Sequence, residues 1–199
     1  MRNTKVVICG DSSVGKTSIL QRILKKDMSK PTETTMGAGF ANVIYSLNGE
    51  QIPLNLWDTA GQEAYRSLVD IYFRGTDIAV IVFDVTSQKS FDAVQSWIDE
   101  LYANVVNTDP SLVLIGNKVD KAGSRAILIE DGFDLAKKLH CEYFDISAVS
   151  GIGIDDFMQH IATLSVKRIN KEKGINMDVV ATELSKIEPK SPEQKGICC

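Results

Sequence analysis

Near its start the sequence carries the stretch Gly10-Asp11-Ser12-Ser13-Val14-Gly15-Lys16-Thr17. An apolar run of strand length precedes it, and a stretch with apolar residues at helical spacing follows it. This is the spacing G-x-x-x-x-G-K-[ST], in which backbone N–H groups and a helix N-terminus bind phosphate oxygens. We expect Lys16 to neutralise phosphate charge and the Thr17 hydroxyl to reach Mg²⁺. The other predicted phosphate-binding residues are Ser12, Ser13, Val14, Gly15 and Ser18.

Outward from this loop, strand-length apolar runs alternate with helical stretches, which predicts an α/β domain with a mostly parallel sheet and helices on both faces. Asn48-Gly49 is a strong hairpin signal, so the strands beside it should form an antiparallel pair at a sheet edge, where Pro53 is tolerated. Six strands are predicted, at residues 5–10, 40–47, 51–58, 77–84, 112–116 and 141–147. Helices are predicted at residues 15–26 and 154–170, along the stripe of Phe91, Val94, Ile98 and Leu101, and around Leu135 and Leu139.

Composition sets limits on the class of protein. The chain has 199 residues, of which 44% are apolar and 24% charged, so it is long enough for one ordinary core. We expect one domain over residues 1–172 and a flexible tail over 173–199, where periodicity fades. A net charge of −4 without charge blocks argues against nucleic-acid binding. No signal-peptide core or membrane span is predicted, so we expect a cytosolic protein in which Cys9 and Cys141 are small buried hydrophobes.

A second motif, Asp58-Thr59-Ala60-Gly61-Gln62, follows directly on a predicted strand. A carboxylate at the end of such a strand lies beside the phosphate loop, so Asp58 should hold the metal's water shell. A lone aspartate here would more often be a turn or cap residue. Gly61 can bring a backbone N–H to the γ-phosphate, and the amide of Gln62 can orient an attacking water. Gln62 is the predicted catalytic residue.

Two polar stretches after later strands predict how the base is selected. The carboxylate of Asp120 can accept hydrogen bonds from the N1–H and N2 amine of guanine, a pair that adenine lacks in that arrangement. Lys118 can lay its stem along the ring, and Asn117 can tie this loop to the phosphate loop. Ser147-Ala148 ends the last strand, where the Ala148 N–H can donate to guanine O6. By itself Asn117-Lys118-Val119-Asp120 would more often be only a turn.

Taken together, these motifs resemble the Ras superfamily of small GTPases over residues 5 to 170. The resemblance implies a small G domain of the P-loop NTPase fold that binds GTP or GDP with Mg²⁺. It also implies that Thr35 binds Mg²⁺ and the γ-phosphate, and that slow hydrolysis awaits an activating protein's arginine. Two rivals are a catalytically silent GTP-bound scaffold, against which Gln62 and Thr35 argue, and an ATP-dependent P-loop kinase, against which Asp120 argues.

Several stretches are similar to Rab proteins within that superfamily, namely 36–40, 57–63, 73–75 and the final Cys198-Cys199. The small residues before Phe40 are also similar to an early-endosomal subgroup. Strand parity places Phe40 and Trp57 on the more polar faces, so both rings should be exposed and, with Tyr72, form the hydrophobic triad that Rabs offer to effectors. The alternative is that these rings belong to the core.

The tail ends in Cys198-Cys199 without a C-a-a-X box, similar to the double-cysteine geranylgeranylation signal of Rabs. The resemblance implies a monomer that cycles between cytosol and endomembranes through two prenyl chains. It implies as partners an exchange factor, an activating protein, a prenylation escort and GDP-dissociation inhibitor, and effectors. Three residues depart from the family pattern: Met28 replaces an aromatic, Val149 a lysine and Ala64 an arginine. The first two touch nucleotide retention.

Overall fold

The computed structural model describes residues 3–25, 38–59, 72–106 and 108–174. The chain divides into two units, Met1–Val166 and Lys167–Cys199. The first unit contains the sheet and the motifs within it. In the second, the described residues continue the last helix to Glu172 and end at Gly174.

The strands are β1 (Thr4–Cys9), β2 (Ala38–Leu47), β3 (Glu50–Thr59), β4 (Ile78–Asp84), β5 (Ser111–Asn117) and β6 (Glu142–Ile146). They form one sheet, in the order β2-β3-β1-β4-β5-β6. All neighbours pair in parallel except β2 and β3, which form an antiparallel hairpin. The predicted six-stranded, mostly parallel sheet is therefore confirmed.

Helices cover both faces of the sheet. The helices are α1 (Lys16–Ile23), α2 (Gln88–Asp92), α3 (Val94–Asn104), α4 (Ile129–Lys138) and α5 (Ile154–Glu172), with a 3₁₀ helix over Val119–Ser124. Alternate residues of the buried strands point into two separate cores, so Val6 and Ile8 pack with α1 and α5, and Val7 and Cys9 pack with α3 and α4. None of the helices in the described ranges is long and apolar enough to cross a bilayer.

Some local expectations were wrong. Of the two hairpin strands, only β2 lies at an edge of the sheet, because β3 also pairs with β1. Pro53 lies in β3 and has no N–H to donate, but the pairing of β3 with β1 starts one residue later, at Leu54, so the proline leaves no gap in that ladder. The stripe through Phe91 forms two helices that meet at Ala93, whose φ and ψ of −76° and −11° keep the distortion small. Cys9 is fully buried, whereas Cys141 is half-buried and lies just before β6.

Candidate nucleotide site

The phosphate-loop stretch follows β1, which lies between β3 and β4 in the sheet. After β1 the chain continues first to β3 on one side of β1 and later to β4 on the other. This reversal of the strand order marks the topological switch point, where α/β sheets bind ligands. Gly10 and Gly15 have φ of +143° and +99°, which favour glycine. A Cβ at Gly10 would stand 2.1 Å from the Val82 carbonyl oxygen. The loop therefore has a shape that side chains would block, with Ser12 and Ser13 exposed and Val14 buried.

The ammonium of Lys16 is buried inside this loop. It donates to the carbonyl oxygens of Gly10 and Asp11, both at 2.7 Å, and only 5% of the residue is exposed. Burial lowers the pKa of Lys16, although the charge of Asp58 opposes the shift. The loop thus holds a desolvated positive charge at the start of α1.

Thr17 and Asp58 meet next to Lys16. The Thr17 hydroxyl donates to Oδ2 of Asp58 at 2.6 Å, and Asp58 is 1% exposed at the end of β3. A hydroxyl and a carboxylate are the hard oxygen donors that Mg²⁺ prefers, usually with phosphate oxygens completing the shell. The residues present therefore fit a magnesium ion bound together with a phosphate. Ser18 lies on α1 directly after Thr17.

The loop after β5 is fastened to the phosphate loop by two side chains. Asn117 Nδ2 donates to the Val14 carbonyl at 2.9 Å, which is the tie that the sequence predicts. Lys118 Nζ donates to the Ser13 carbonyl at 2.7 Å and lies 2.6 Å from Oδ2 of Asp84. Burial alone would raise the pKa of Asp84, but the hydrogen bonds from Lys118 and Thr86 hold it below the usual value. The stem of Lys118 is thereby held between the two loops.

The residues predicted to read guanine also come together. Ser147 Oγ donates to Oδ1 of Asp120 at 2.5 Å, and the Ala148 N–H donates to Oδ1 of Asn117 at 3.1 Å. Ser147 and Ala148 are buried, whereas Asp120 is exposed. The Ala148 N–H, which the sequence predicts to contact guanine O6, therefore donates to a side-chain amide oxygen in this structure. A carboxylate, an amide and a backbone donor converge at this end of the site.

The three predicted effector residues form a row of rings. Ring centroids are 4.8 Å apart for Phe40 and Trp57 and 6.2 Å apart for Trp57 and Tyr72. Phe40 is 49% exposed, but Trp57 is half-buried, so the expectation that both are exposed was wrong for Trp57. The Trp57 ring packs against the core that contains Val7 and Cys9, and Lys5 Nζ lies 4.8 Å from the ring centroid.

The remaining predicted residues lie outside the described ranges. These are Met28, Thr35, Gly61, Gln62, Ala64, Cys198 and Cys199. Val149 is described and is 62% exposed.

Sequence reasoning missed three residues that contact these loops. Trp97 Nε1 donates to Oδ1 of Asp11 at 2.8 Å, and Arg22 Nε donates to the Ala148 carbonyl at 2.6 Å. Asp84, which binds Lys118, ends a buried strand, so the reasoning applied to Asp58 could have identified it. Arg22 and Trp97 lie on helices and carry no such positional signal.

Comparison with known proteins agrees with this geometry. The Ras family profile matches residues 5–167. The chain is similar to Ras-related protein Rab-7b of Paramecium octaurelia, with 34% identity over 199 residues that cover 98% of this chain and 96% of that protein. It is 33% identical to Ras-related protein Rab2BV of Beta vulgaris, covering 98% and 93% of the two chains. With Ras-related protein Rab-27B of Rattus norvegicus the identity is 35%, covering 98% and 95%.

Proposed function

The chain belongs to the Ras family and is a Rab-type small GTPase, and from this premise we propose that the residues around Lys16 and Asp120 form its GTP site. It is a GTP-binding and GTP-hydrolysing switch of vesicle trafficking. The observation that carries the site assignment is that one set of hydrogen bonds joins the Lys16 loop to the base-reading loop through Asn117 and Val14.

Phosphate binding falls to the loop around Lys16. Its backbone N–H groups and the N-terminus of α1 bind the β- and γ-phosphates, and the Lys16 ammonium exchanges its carbonyl partners for phosphate oxygens. Thr17 and Asp58, together with Thr35, would hold Mg²⁺. When bound, the ion neutralises the charge that develops on the phosphates.

Hydrolysis is an in-line attack of water on the γ-phosphate. The side chain of Gln62 orients the water, and Lys16 stabilises negative charge in the transition state. The N–H of Gly61 contacts the γ-phosphate and reports its presence. An arginine from an activating protein would accelerate this step by roughly 10³ to 10⁵.

Base selection falls to the other end of the site. Asp120 accepts from the N1–H and amine of guanine, while Ser147 holds one oxygen of that carboxylate in place. The Ala148 N–H donates to O6 when the amide oxygen of Asn117 moves aside. Lys118 covers a face of the ring from its anchor at Ser13.

Nucleotide competition tests this assignment. Purified protein loaded with mant-GDP is titrated with GDP, IDP and ADP, with and without EDTA. We expect GDP to compete best, and release to accelerate when Mg²⁺ is chelated. A protein that prefers ADP, or that ignores EDTA, would contradict the proposed site.

Rab-type switches have regulators and effectors, and we propose that Phe40, Trp57 and Tyr72 form the effector surface here. Neighbouring aromatic rings, of which Phe40 is exposed and Trp57 and Tyr72 are half-buried, are typical anchors of such interfaces. An exchange factor, an activating protein, and a prenylation escort and GDP-dissociation inhibitor complete the proposed partners. Phe40→Ala should abolish GTP-dependent capture of effectors from lysate while mant-GDP release stays unchanged.

Finally, we propose that residues 1–172 form the G domain and 173–199 a tail that carries geranylgeranyl groups on Cys198 and Cys199. One lipid chain alone binds membranes marginally, and two hold a protein there reversibly. The protein would then cycle between the cytosol and the cytosolic face of endosomal or other vesicles. Replacing both cysteines by serine should move it to the soluble fraction without changing GTP binding; continued membrane attachment would mean that another anchor exists.

A further inference from the structure

The loop after β6, which contains Ala148 and Val149, is held by a side chain from α1, the helix that follows the phosphate loop. Arg22, in the last turn of α1, donates from Nε to the Ala148 carbonyl at 2.6 Å and from Nη2 to the Val149 carbonyl. These two donors lie on one edge of a rigid planar guanidinium, so they bind two successive carbonyls in a defined geometry. From this contact we propose that Arg22 is a positioning residue for the Ala148 N–H that reads guanine O6.

The peptide planes on both sides of Ala148 are fixed. Its N–H shares a plane with the Ser147 carbonyl, which accepts from the Gly151 N–H at 2.8 Å. Its own carbonyl lies in the next plane and accepts from Arg22. Since only φ and ψ of Ala148 separate the two planes, fixing both sets the direction of the Ala148 N–H.

The same contact couples the two ends of the nucleotide. Arg22 lies six positions after Lys16, which is about 9 Å along the helix axis at about 1.5 Å per residue. The first residues of α1 bind phosphate, and the last turn holds the base-reading loop. It differs from the Asn117 link to Val14, which reaches Ala148 through the hydrogen bond from the Ala148 N–H to Asn117 Oδ1.

Loss of the clamp would reduce the population of the reading conformation. A loop that adopts this conformation a tenth of the time lowers apparent affinity about tenfold. Arg22→Met keeps the aliphatic stem and removes both donors, so we expect GDP release about tenfold faster. Arg22→Lys keeps the charge and a single donor, so we expect an intermediate rate. Lys25→Met is the matched control, because it removes a positive charge from an exposed position next to the same helix end.

The decisive measurement separates the two contacts to the base. IDP lacks the 2-amine that Asp120 reads, whereas 6-thio-GDP keeps the N1–H and amine but presents a poor acceptor at position 6. In Arg22→Met, the preference for GDP over 6-thio-GDP should fall, while the preference for GDP over IDP should stay that of the native protein. The Lys25→Met protein should keep both preferences and the native release rate.

This inference rests on the proposed guanine site, and the outcomes distinguish the two. A native protein that does not prefer GDP over IDP overturns the role of Asp120 and the Arg22 proposal with it. If the native protein discriminates against both analogues and Arg22→Met behaves identically, only the Arg22 proposal falls. Equal loss of both preferences in Arg22→Met also overturns it, because that indicates general loosening of the site.

Discussion

The side-chain amide of Asn117 donates a hydrogen bond to the main-chain carbonyl of Val14, across 103 residues of sequence and 2.9 Å of space. The bond joins the end of β5 to the loop after β1, so the two loops to which we assign base reading and phosphate binding share one buried contact. Asn117 is 1% exposed. A buried polar group that loses its hydrogen-bond partner destabilises the folded state, so this bond is costly to break. The contact also leaves no room for a side chain at the neighbouring glycine.

That neighbour is Gly15, and Gly15→Ala is expected to destabilise the protein. The added Cβ would stand 2.3 Å from Asn117 Nδ2, at a φ of +99° that alanine rarely adopts. Backbone strain of this kind amounts to roughly 1 to 3 kcal/mol, before any loss of the Asn117 bond. The free energy of unfolding measured in urea and the affinity for GDP should both decrease. Gly123→Ala is the control, because its Cβ meets nothing within 4 Å; an equal effect there would refute the argument.

Gln62→Leu should leave GTP affinity nearly intact and slow activated hydrolysis at least about tenfold, since leucine cannot orient water. Single-turnover phosphate release with an activating protein measures this. Undiminished stimulated turnover would remove Gln62 from the mechanism.

Asp120→Asn should exchange guanine selectivity for xanthine. Asparagine offers a donor where xanthine has a carbonyl, and the Ser147 hydroxyl can still bond the remaining amide oxygen. Competition of XDP against GDP for the variant measures the change. GDP that still wins would mean that Asp120 does not read the base.

Met28→Phe and Val149→Lys are each expected to slow spontaneous GDP release. An aromatic ring stacks on a base with roughly 1 to 3 kcal/mol, against roughly 0.3 to 1.5 kcal/mol for a thioether contact. Exposed Val149 offers no long stem to cover the sugar side of the base. Release of mant-GDP at fixed Mg²⁺ should slow in both single variants and add in the double. No slowing in either would discard the idea.

In a Cys198→Ser, Cys199→Ser protein, the two internal thiols should be alkylated slowly at pH 8. Burial raises the pKa of Cys9 to about 12 and that of Cys141 to about 11, so both remain protonated and only thiolates react. Half-buried Cys141 should react first as the pH rises. Rapid labelling of Cys9 in the folded, nucleotide-loaded protein would contradict its burial.

Local signals in the sequence carried most of the fold. The sequence predicted β1, β3 and β5 because their apolar runs end at Gly10, Asp58 and Asn117. In such sheets the residues that bind ligands follow the ends of the strands. The sequence did not reveal that β3 is an interior strand, since Pro53 disfavours that position and only the register with β1 explains it. It also overestimated the exposure of Trp57, because parity gives the face of a ring and not the neighbours that cover it.

The site was predictable where a residue type states its chemistry. Lys16, Thr17 and Asp58 lie in motifs whose spacing follows from phosphate and metal binding. Arg22 and Trp97 were not predictable, because an arginine or tryptophan on a helix has many ordinary roles and its partner is distant in sequence. Long-range side-chain contacts to main-chain carbonyls leave no pattern along the chain.

The β2–β3 ladder has a consequence for how the switch is read. Ala38 pairs with Thr59, so residue 37 and residue 60 are the immediate chain neighbours of a single rung. In the sequence, Thr35 precedes residue 37 by two positions and Gly61 follows residue 60 by one. A displacement that reaches either Ala38 or Thr59 therefore acts on the same rung, because that rung joins the two strands.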